Sequence, residues 1–168
     1  LVEITKFPRL AAAQAENPNP LYRAWAAGKR EVEPIAAKPT LATAIQIGNP
    51  VSAPRAVQAL EAMNGVVEQA SEEELCDAAA RADRTGMYTC PHTAVGLAVL
   101  EKLVKRGTIQ KGERVVCVST AAGLKFTEFK VRYHEGAIDG VSAPLKNPPV
   151  KLPADYGKVM DAIAKRFS

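Results

Sequence analysis

Two adjacent hydroxyl side chains, Ser119 and Thr120, follow the apolar run Val115-Val116-Cys117-Val118 and precede Ala121-Ala122-Gly123. The apolar run reads as a buried strand of a parallel sheet, and the Ser/Thr/Gly cluster as the turn at its carboxyl end. In open α/β sheets, ligands bind outside the carboxyl ends of the strands. Hydroxyl donors flanked by small residues suit a heteroatom of a small molecule that comes close to the backbone. The same pair suits the cap of a following helix. Gly123 permits a close backbone approach or a turn with positive φ, and a plain turn glycine meets the same pattern.

Other residues carry weaker chemistry. Ala44-Ile45-Gln46-Ile47-Gly48 is small and largely apolar, which leaves room beside a ligand or packs tightly in a core. His92 follows Pro91 at a helix start, where an exposed or capping role is the ordinary one. Arg23, Lys29 and Arg30 could attract a phosphate, although a solvated charged face is the default for such residues. Cys76, Cys90 and Cys117 are odd in number, with no C-x-x-C, and form no ligand set with His92 and His134. Cys90 reads as structural and Cys117 as a small core residue, so no metal site is expected and a reducing, cytoplasmic compartment fits. Neither G-x-G-x-x-G nor G-x-x-x-x-G-K-[ST] occurs, which argues against a nucleotide site.

Composition narrows the class. The chain has 168 residues, 47% hydrophobic and 24% charged, as expected of one soluble globular unit with a real core. The net charge of +4 comes from 22 Lys+Arg against 18 Asp+Glu, spread without a basic block. With four Phe and four Tyr for base stacking, nucleic acid is not an expected partner. No apolar run approaches the ~20 residues of a membrane helix. No basic segment followed by an apolar stretch precedes Leu10, so no signal peptide is expected.

The elements that must position these residues alternate. Arg9 to Ala15 reads as a short strand, and Asn19-Pro20 as the cap and first turn of a helix through Gly28. Residues 28–40 read as a loop. Ser52 caps a helix with Val57, Leu60 and Met63 on one face, stopped by Asn64-Gly65. Gly65 to Ala70 reads as the next strand. Ser71-Glu72-Glu73-Glu74 is a capping box opening a helix to about Asp83. Thr85 to Tyr88 is a short strand or turn. Pro91 opens a long helix that Lys105-Arg106-Gly107 stops. The strand 114–118, a helix from Lys125 to Tyr133, a linker at Asn147-Pro148-Pro149 and an amphipathic helix from Asp155 to Phe167 complete the chain. Strands separated by helices predict an α/β fold, a mostly parallel sheet with helices on both faces. Residues 1–150 form the main unit, and 151–168 a terminal amphipathic helix packing on it.

Three blocks in this order resemble a known family: Ala44-Ile45-Gln46-Ile47-Gly48-Asn49-Pro50, Thr85-Gly86-Met87-Tyr88-Thr89-Cys90-Pro91-His92-Thr93 and Ser119-Thr120-Ala121-Ala122-Gly123-Leu124-Lys125-Phe126. Pro8-Arg9-Leu10, Gln14-Ala15 and Asn19-Pro20-Leu21-Tyr22 add to the likeness. Together they resemble the carboxyl-terminal part of the threonine synthases, pyridoxal-phosphate enzymes of fold type II, closely over residues 1–135 and loosely beyond.

The resemblance implies conversion of O-phospho-L-homoserine and water to L-threonine and phosphate, with pyridoxal 5'-phosphate as electron sink. It implies a cofactor contact at Thr120, whose hydroxyl would donate to the pyridine nitrogen, with Ser119 as the alternative donor and Gly123 beside them. It places Ala44, Ile45 and Gly48 on the substrate-side wall. The family's Schiff-base lysine and phosphate loop precede the segment matched here, and Lys6, Lys29 and Lys38 stand in no matching context. The chain alone is therefore expected to be inactive, its partners being the amino-terminal remainder of the enzyme and a small amino-acid substrate. A homo-oligomer stays open. Ala122 departs from the family's usual His. The alternatives are another fold-type-II enzyme, such as threonine dehydratase or cysteate synthase, or a non-catalytic binding domain derived from the fold.

Overall fold

The structure is a computed structural model in which residues 7–167 are described, so Lys6 lies outside the described residues. In chain order come β1 (Ala11–Ala15), α1 (Pro20–Ala26), a 3-10 turn (Thr43–Ile45), α2 (Ala53–Ala62), β2 (Val66–Ala70), α3 (Glu72–Asp83) and α4 (Pro91–Lys105). A second 3-10 turn (Gly123–Phe126), α5 (Thr127–Glu135) and α6 (Tyr156–Phe167) follow.

β1 and β2 pair in parallel, from Ala11 with Val66 to Ala15 with Ala70. Strand side chains alternate between faces, and the burial follows that period. Ala13, Ala15, Val66 and Ala70 pack with Leu75 and Cys76 of α3 and Val95, Val99 and Leu103 of α4. Ala12 and Val67 turn the other way, onto Leu21 of α1 and Val57 and Leu60 of α2. The α/β class, with a parallel sheet covered on both faces, is thus the one the sequence predicts.

Local chemistry sets the ends of the elements. The Ser71 hydroxyl accepts from the Glu74 amide at 3.2 Å, and the Glu74 carboxylate accepts from the Ser71 amide at 2.8 Å. This box satisfies two of the amides that a helix start leaves free. Lys102 of α4 then donates to the Gln69 carbonyl at 2.9 Å and to Glu74 at 3.1 Å, which ties α4 to the end of β2. Ser52 and Asn19 stand at the cap positions expected for them but make no side-chain cap bond. Asn19 spends its amide on Gln69 Oε1, at 2.5 Å, and so reads the end of β2 instead of its own helix.

α5 is fastened to α3 by charge. The Lys130 ammonium bonds both Asp83 carboxylate oxygens, at 2.7 and 2.8 Å, and lies 4.8 Å from the Tyr88 ring centre. The Tyr133 hydroxyl donates to Asp77 at 2.8 Å. In α6 no residue is buried, and Arg166 donates to Asn147 at 3.1 Å.

The strand expected over 114–118 is not formed. Residues 113–120 run without a hydrogen-bonded partner strand among the described residues, and Val115, Val116 and Val118 are exposed. A buried strand needs a neighbour for its amides and carbonyls and a layer over each face. Among the described residues, β1 and β2 pair with each other and not with this segment. Cys117 is corrected with it: the residue is exposed, not a core residue, although its sulfur reaches over Gly96 of α4.

Candidate functional site

The amino terminus of α4 gathers the hydroxyls that the sequence singles out. Pro91 occupies the first helical turn, where its missing N–H costs nothing, and Cys90 is the cap residue. The Cys90 sulfur accepts from the Thr93 amide at 3.3 Å and lies 3.2 Å from the Thr93 hydroxyl. Thr93 then reaches the incoming loop. Its hydroxyl oxygen accepts from the Thr120 amide at 3.3 Å and sits 3.3 Å from the Ser119 hydroxyl. Thr120 places its own hydroxyl 3.8 Å from the Cys90 sulfur. Ser119 and Thr120 are thus brought together on an exposed face and held from below by Cys90 and Thr93, both buried.

The loop is pinned on its far side. Thr89 and Ala122 form an isolated antiparallel bridge, and the Gly123 amide donates to the Tyr88 carbonyl at 2.9 Å. A β-carbon on Gly123 would stand 2.7 Å from the Thr89 carbonyl oxygen, so glycine is required by close approach. The neighbour is the chain's own backbone. Gly123 is absent from the positive-φ residues, so the alternative of a left-handed turn is corrected.

The segment expected on the opposite wall is nearby. The Ala44 amide, in the 3-10 turn, donates to Nε2 of His92 at 2.9 Å. His92 meets Phe126 edge-on, with ring centres 5.0 Å apart. Ile45 packs on the main core. Gly48 lies where any side chain would collide with the Ile35 carbonyl oxygen, and its own carbonyl accepts from the Ile35 amide at 2.9 Å. Its small size therefore serves the fold of loop 28–42 directly. Arg23, Lys29 and Arg30 stand apart from this cluster. Lys29 pairs with Glu33 at 3.0 Å, and Arg30 pairs with Glu61 and lies over Trp25, the solvated and paired roles that such residues usually take.

Cys90 and His92, at the start of α4, have shifted acidities. Burial pushes the Cys90 thiol up, but hydrogen bonds from Thr93, Thr120 and the His92 backbone outweigh it together, and the net direction is down. Burial lowers the His92 imidazole below its ordinary value, which keeps Nε2 free to accept. No group of His, Cys, Asp and Glu able to hold a metal ion occurs among the described residues.

The residues that sequence reasoning missed are Thr93 and Thr89. Thr93 stands three positions after Cys90, the offset at which a cap side chain meets the helix, and that offset was the available signal. Among the described residues the buried Thr89 hydroxyl has no hydrogen-bond partner, and nothing in the sequence distinguishes it.

Residues 2–121 match the pyridoxal-phosphate dependent enzyme family. The chain is 53% identical to threonine synthase 2, chloroplastic, of Arabidopsis thaliana, over 95% of this chain and 31% of that protein. It is 35% identical to the threonine synthase of Methanocaldococcus jannaschii, over 80% of this chain and 34% of that one. A crystal structure of a threonine deaminase aligns with a TM-score of 0.46 and 21% identity, over 57% of this chain and 34% of that chain. The chain spans about a third of the length of the curated relatives it matches.

Proposed function

The chain belongs to the pyridoxal-phosphate dependent enzyme family, and from that premise we propose that it forms the pyridine-ring side of a threonine synthase active site. The reaction proposed is conversion of O-phospho-L-homoserine and water to L-threonine and phosphate. The observation that carries this reading is the Thr120 hydroxyl. It is held at the mouth of the α4 amino terminus, and among the described residues its oxygen has a single, long hydrogen-bond contact, 3.8 Å, to the Cys90 sulfur. Its proton is therefore available for a stronger acceptor.

The residues present fit the cofactor by the chemistry of their donors. Thr120 would hold the ring nitrogen, Ser119 stands as the adjacent donor, and the buried, unpartnered Thr89 hydroxyl adds polar capacity beside Gly123. When bound, the cofactor supplies an electron sink for carbanions along the substrate chain. This chain's residues would orient the ring and leave its nitrogen unprotonated. A hydroxyl donates a hydrogen bond without surrendering its proton, whereas a carboxylate there would favour the protonated ring. Ala44, Ile45 and Gly48 would form the substrate-side wall. The lysine that binds the cofactor and the loop that holds its phosphate belong, on this reading, to the amino-terminal remainder of the enzyme, and residues 1–168 alone are inactive. Residues 1–150 would be part of the large domain, and 151–168 its terminal helix. The cytoplasm is the compartment proposed, and among the described residues no helix is long and apolar enough to cross a membrane.

The test is a set of Thr120 variants in the intact enzyme. Thr120→Val keeps the shape and removes the donor. Losing one such hydrogen bond costs about 1–3 kcal/mol, or about 5- to 150-fold in cofactor affinity. Thr120→Ser should be mild, and Thr120→Asp should change the bound cofactor's absorption spectrum by protonating the ring. If the Val variant binds cofactor and turns over like the parent, Thr120 is only part of the loop anchor.

A further inference from the structure

We propose that His92 is a positioning residue whose imidazole ties the substrate-side turn Thr43–Ile45 to the hydroxyl cluster at the start of α4. The proposal rests on the reading of Ala44, Ile45 and Gly48 as a wall of the active site, and adds what sets the distance of that wall.

The 3-10 turn explains the need for an acceptor. Ile45 and Gln46 donate their amides to Ala42 and Thr43, at 3.0 and 3.1 Å. The Ala44 amide falls too early in the turn for a carbonyl of its own, as the first amides of any helix do. His92 Nε2 accepts it at 2.9 Å. An imidazole nitrogen accepts only when it carries no proton, so the ring is neutral with its hydrogen on Nδ1. The same ring meets Phe126 edge-on, with centres 5.0 Å apart, in the turn Gly123–Phe126. Thr93, which anchors both Ser119 and Thr120, is the next residue along the helix. One ring therefore touches both the turn Thr43–Ile45 and the turn Gly123–Phe126, and sits on the helix that anchors Ser119 and Thr120.

The surroundings keep the ring in the accepting form. Burial lowers its basicity. The turn Thr43–Ile45 carries no titratable side chain, and the turn Gly123–Phe126 carries Lys125, which is exposed. Protonation would turn Nε2 from acceptor to donor, facing the Ala44 N–H.

Two variants in the intact enzyme test the assignment. His92→Phe keeps a ring against Phe126 and removes the acceptor. His92→Gln puts a carboxamide oxygen near the position of Nε2. Hydrogen exchange at the Ala44 amide should quicken at least tenfold in the Phe variant and return toward the parent in the Gln variant. KM for O-phosphohomoserine should rise in the Phe variant with cofactor affinity unchanged, and Gln should restore it. Unchanged Ala44 exchange in the Phe variant overturns the hydrogen bond and the proposal with it. Faster exchange with an unaltered KM also overturns it, because the turn is then no wall for the substrate. Neither outcome bears on the Thr120 reading, which stands or falls on cofactor affinity in the Val and Ser variants.

Discussion

Gly123→Ala adds one methyl group where the site loop crosses the segment before α4. That carbon would lie 2.7 Å from the Thr89 carbonyl oxygen and 2.7 Å from Cδ1 of Tyr88, nearer than β-carbons stand in folded proteins. The tyrosine ring can swing aside. The carbonyl cannot, because its residue is held by the bridge to Ala122, and the loop is held by the Gly123 amide on the Tyr88 carbonyl at 2.9 Å. Overpacking of this kind costs about 1–3 kcal/mol, and a lost backbone hydrogen bond adds about 1 kcal/mol. The weakest restraints nearby are the contacts of Thr93 and Cys90 with Ser119 and Thr120, at 3.3 to 3.8 Å. The loop is therefore expected to give way there, which moves the Thr120 hydroxyl. Stability should fall by about 2–4 kcal/mol on these two terms together, and the cofactor dissociation constant should rise about tenfold. Denaturant unfolding and a cofactor titration, followed by absorption, read the two effects separately. The double variant Gly123→Ala with Tyr88→Ala removes the ring but not the carbonyl, so recovery should be partial. A Gly123→Ala protein that unfolds and binds cofactor like the parent would refute the reasoning. Full recovery in the double variant would show that the ring alone sets the limit.

Two further outcomes follow from the buried polar groups. Among the described residues, Lys130→Met leaves the Asp83 carboxylate with His134, at 3.9 Å, as its remaining ionic neighbour, and should destabilise by about 3–5 kcal/mol in denaturant unfolding. Replacing Asp83 by Leu in the same protein should recover much of that, since no charge is then stranded; a double variant as unstable as the single one would count against the pairing. Burial, then the neighbouring Glu72, Asp77 and Glu73, push the Cys76 thiol up to about 12, so it should resist alkylation at pH 8 until the protein unfolds. Because the folded value is the raised one, unfolding releases this proton between the ordinary thiol value and about 12, and stability should fall as pH climbs through that window. Ready labelling of Cys76 in the folded protein would contradict its burial.

Most of the elements were readable because their signals are local. The Ser71–Glu74 box, the Pro91 start and the Lys105-Arg106-Gly107 stop each act within one turn of helix, and each appears where the spacing puts it. The two strands were readable because alternation at Ala12, Ala13, Val66 and Val67 meets helices on both sides. Residues 113–120 mislead for the opposite reason. Val115 to Val118 carry the composition of a strand, but a strand is a pairing, and the partner is not written in its own residues. Asn19 and Ser52 show the limit of capping rules. Asn19 has a better offer from Gln69, and only tertiary structure brings the two together. In the site, Ser119 and Thr120 are legible as hydroxyls, whereas their anchor in Thr93 and Cys90 depends on a contact between segments far apart in sequence. The link between Ala44 and His92 is hidden in the same way.

The order in which these pieces can assemble is fixed by how far apart their partners lie along the chain. α3 and α4 are neighbours in sequence, and Leu75, Cys76, Val95 and Val99 can meet after closing only a short connection. β1 must wait for β2 across α1, loop 28–42 and α2, and its pairing of Ala11 with Val66 closes a far longer loop. Closing such loops is slow, because chain entropy is lost before any contact rewards it. The helical hairpin should therefore form first and offer a prepared apolar face, on which β2 and then β1 are laid. Val66 and Ala70 meet that face through β2, but Ala13 and Ala15 reach it only when the parallel pair closes. Substitutions in the α3–α4 contact should slow folding, whereas those on β1 should mainly speed unfolding. On this order the apolar seam on which the sheet rests should come first in time, and β1, the earliest of the described strands, should arrive last.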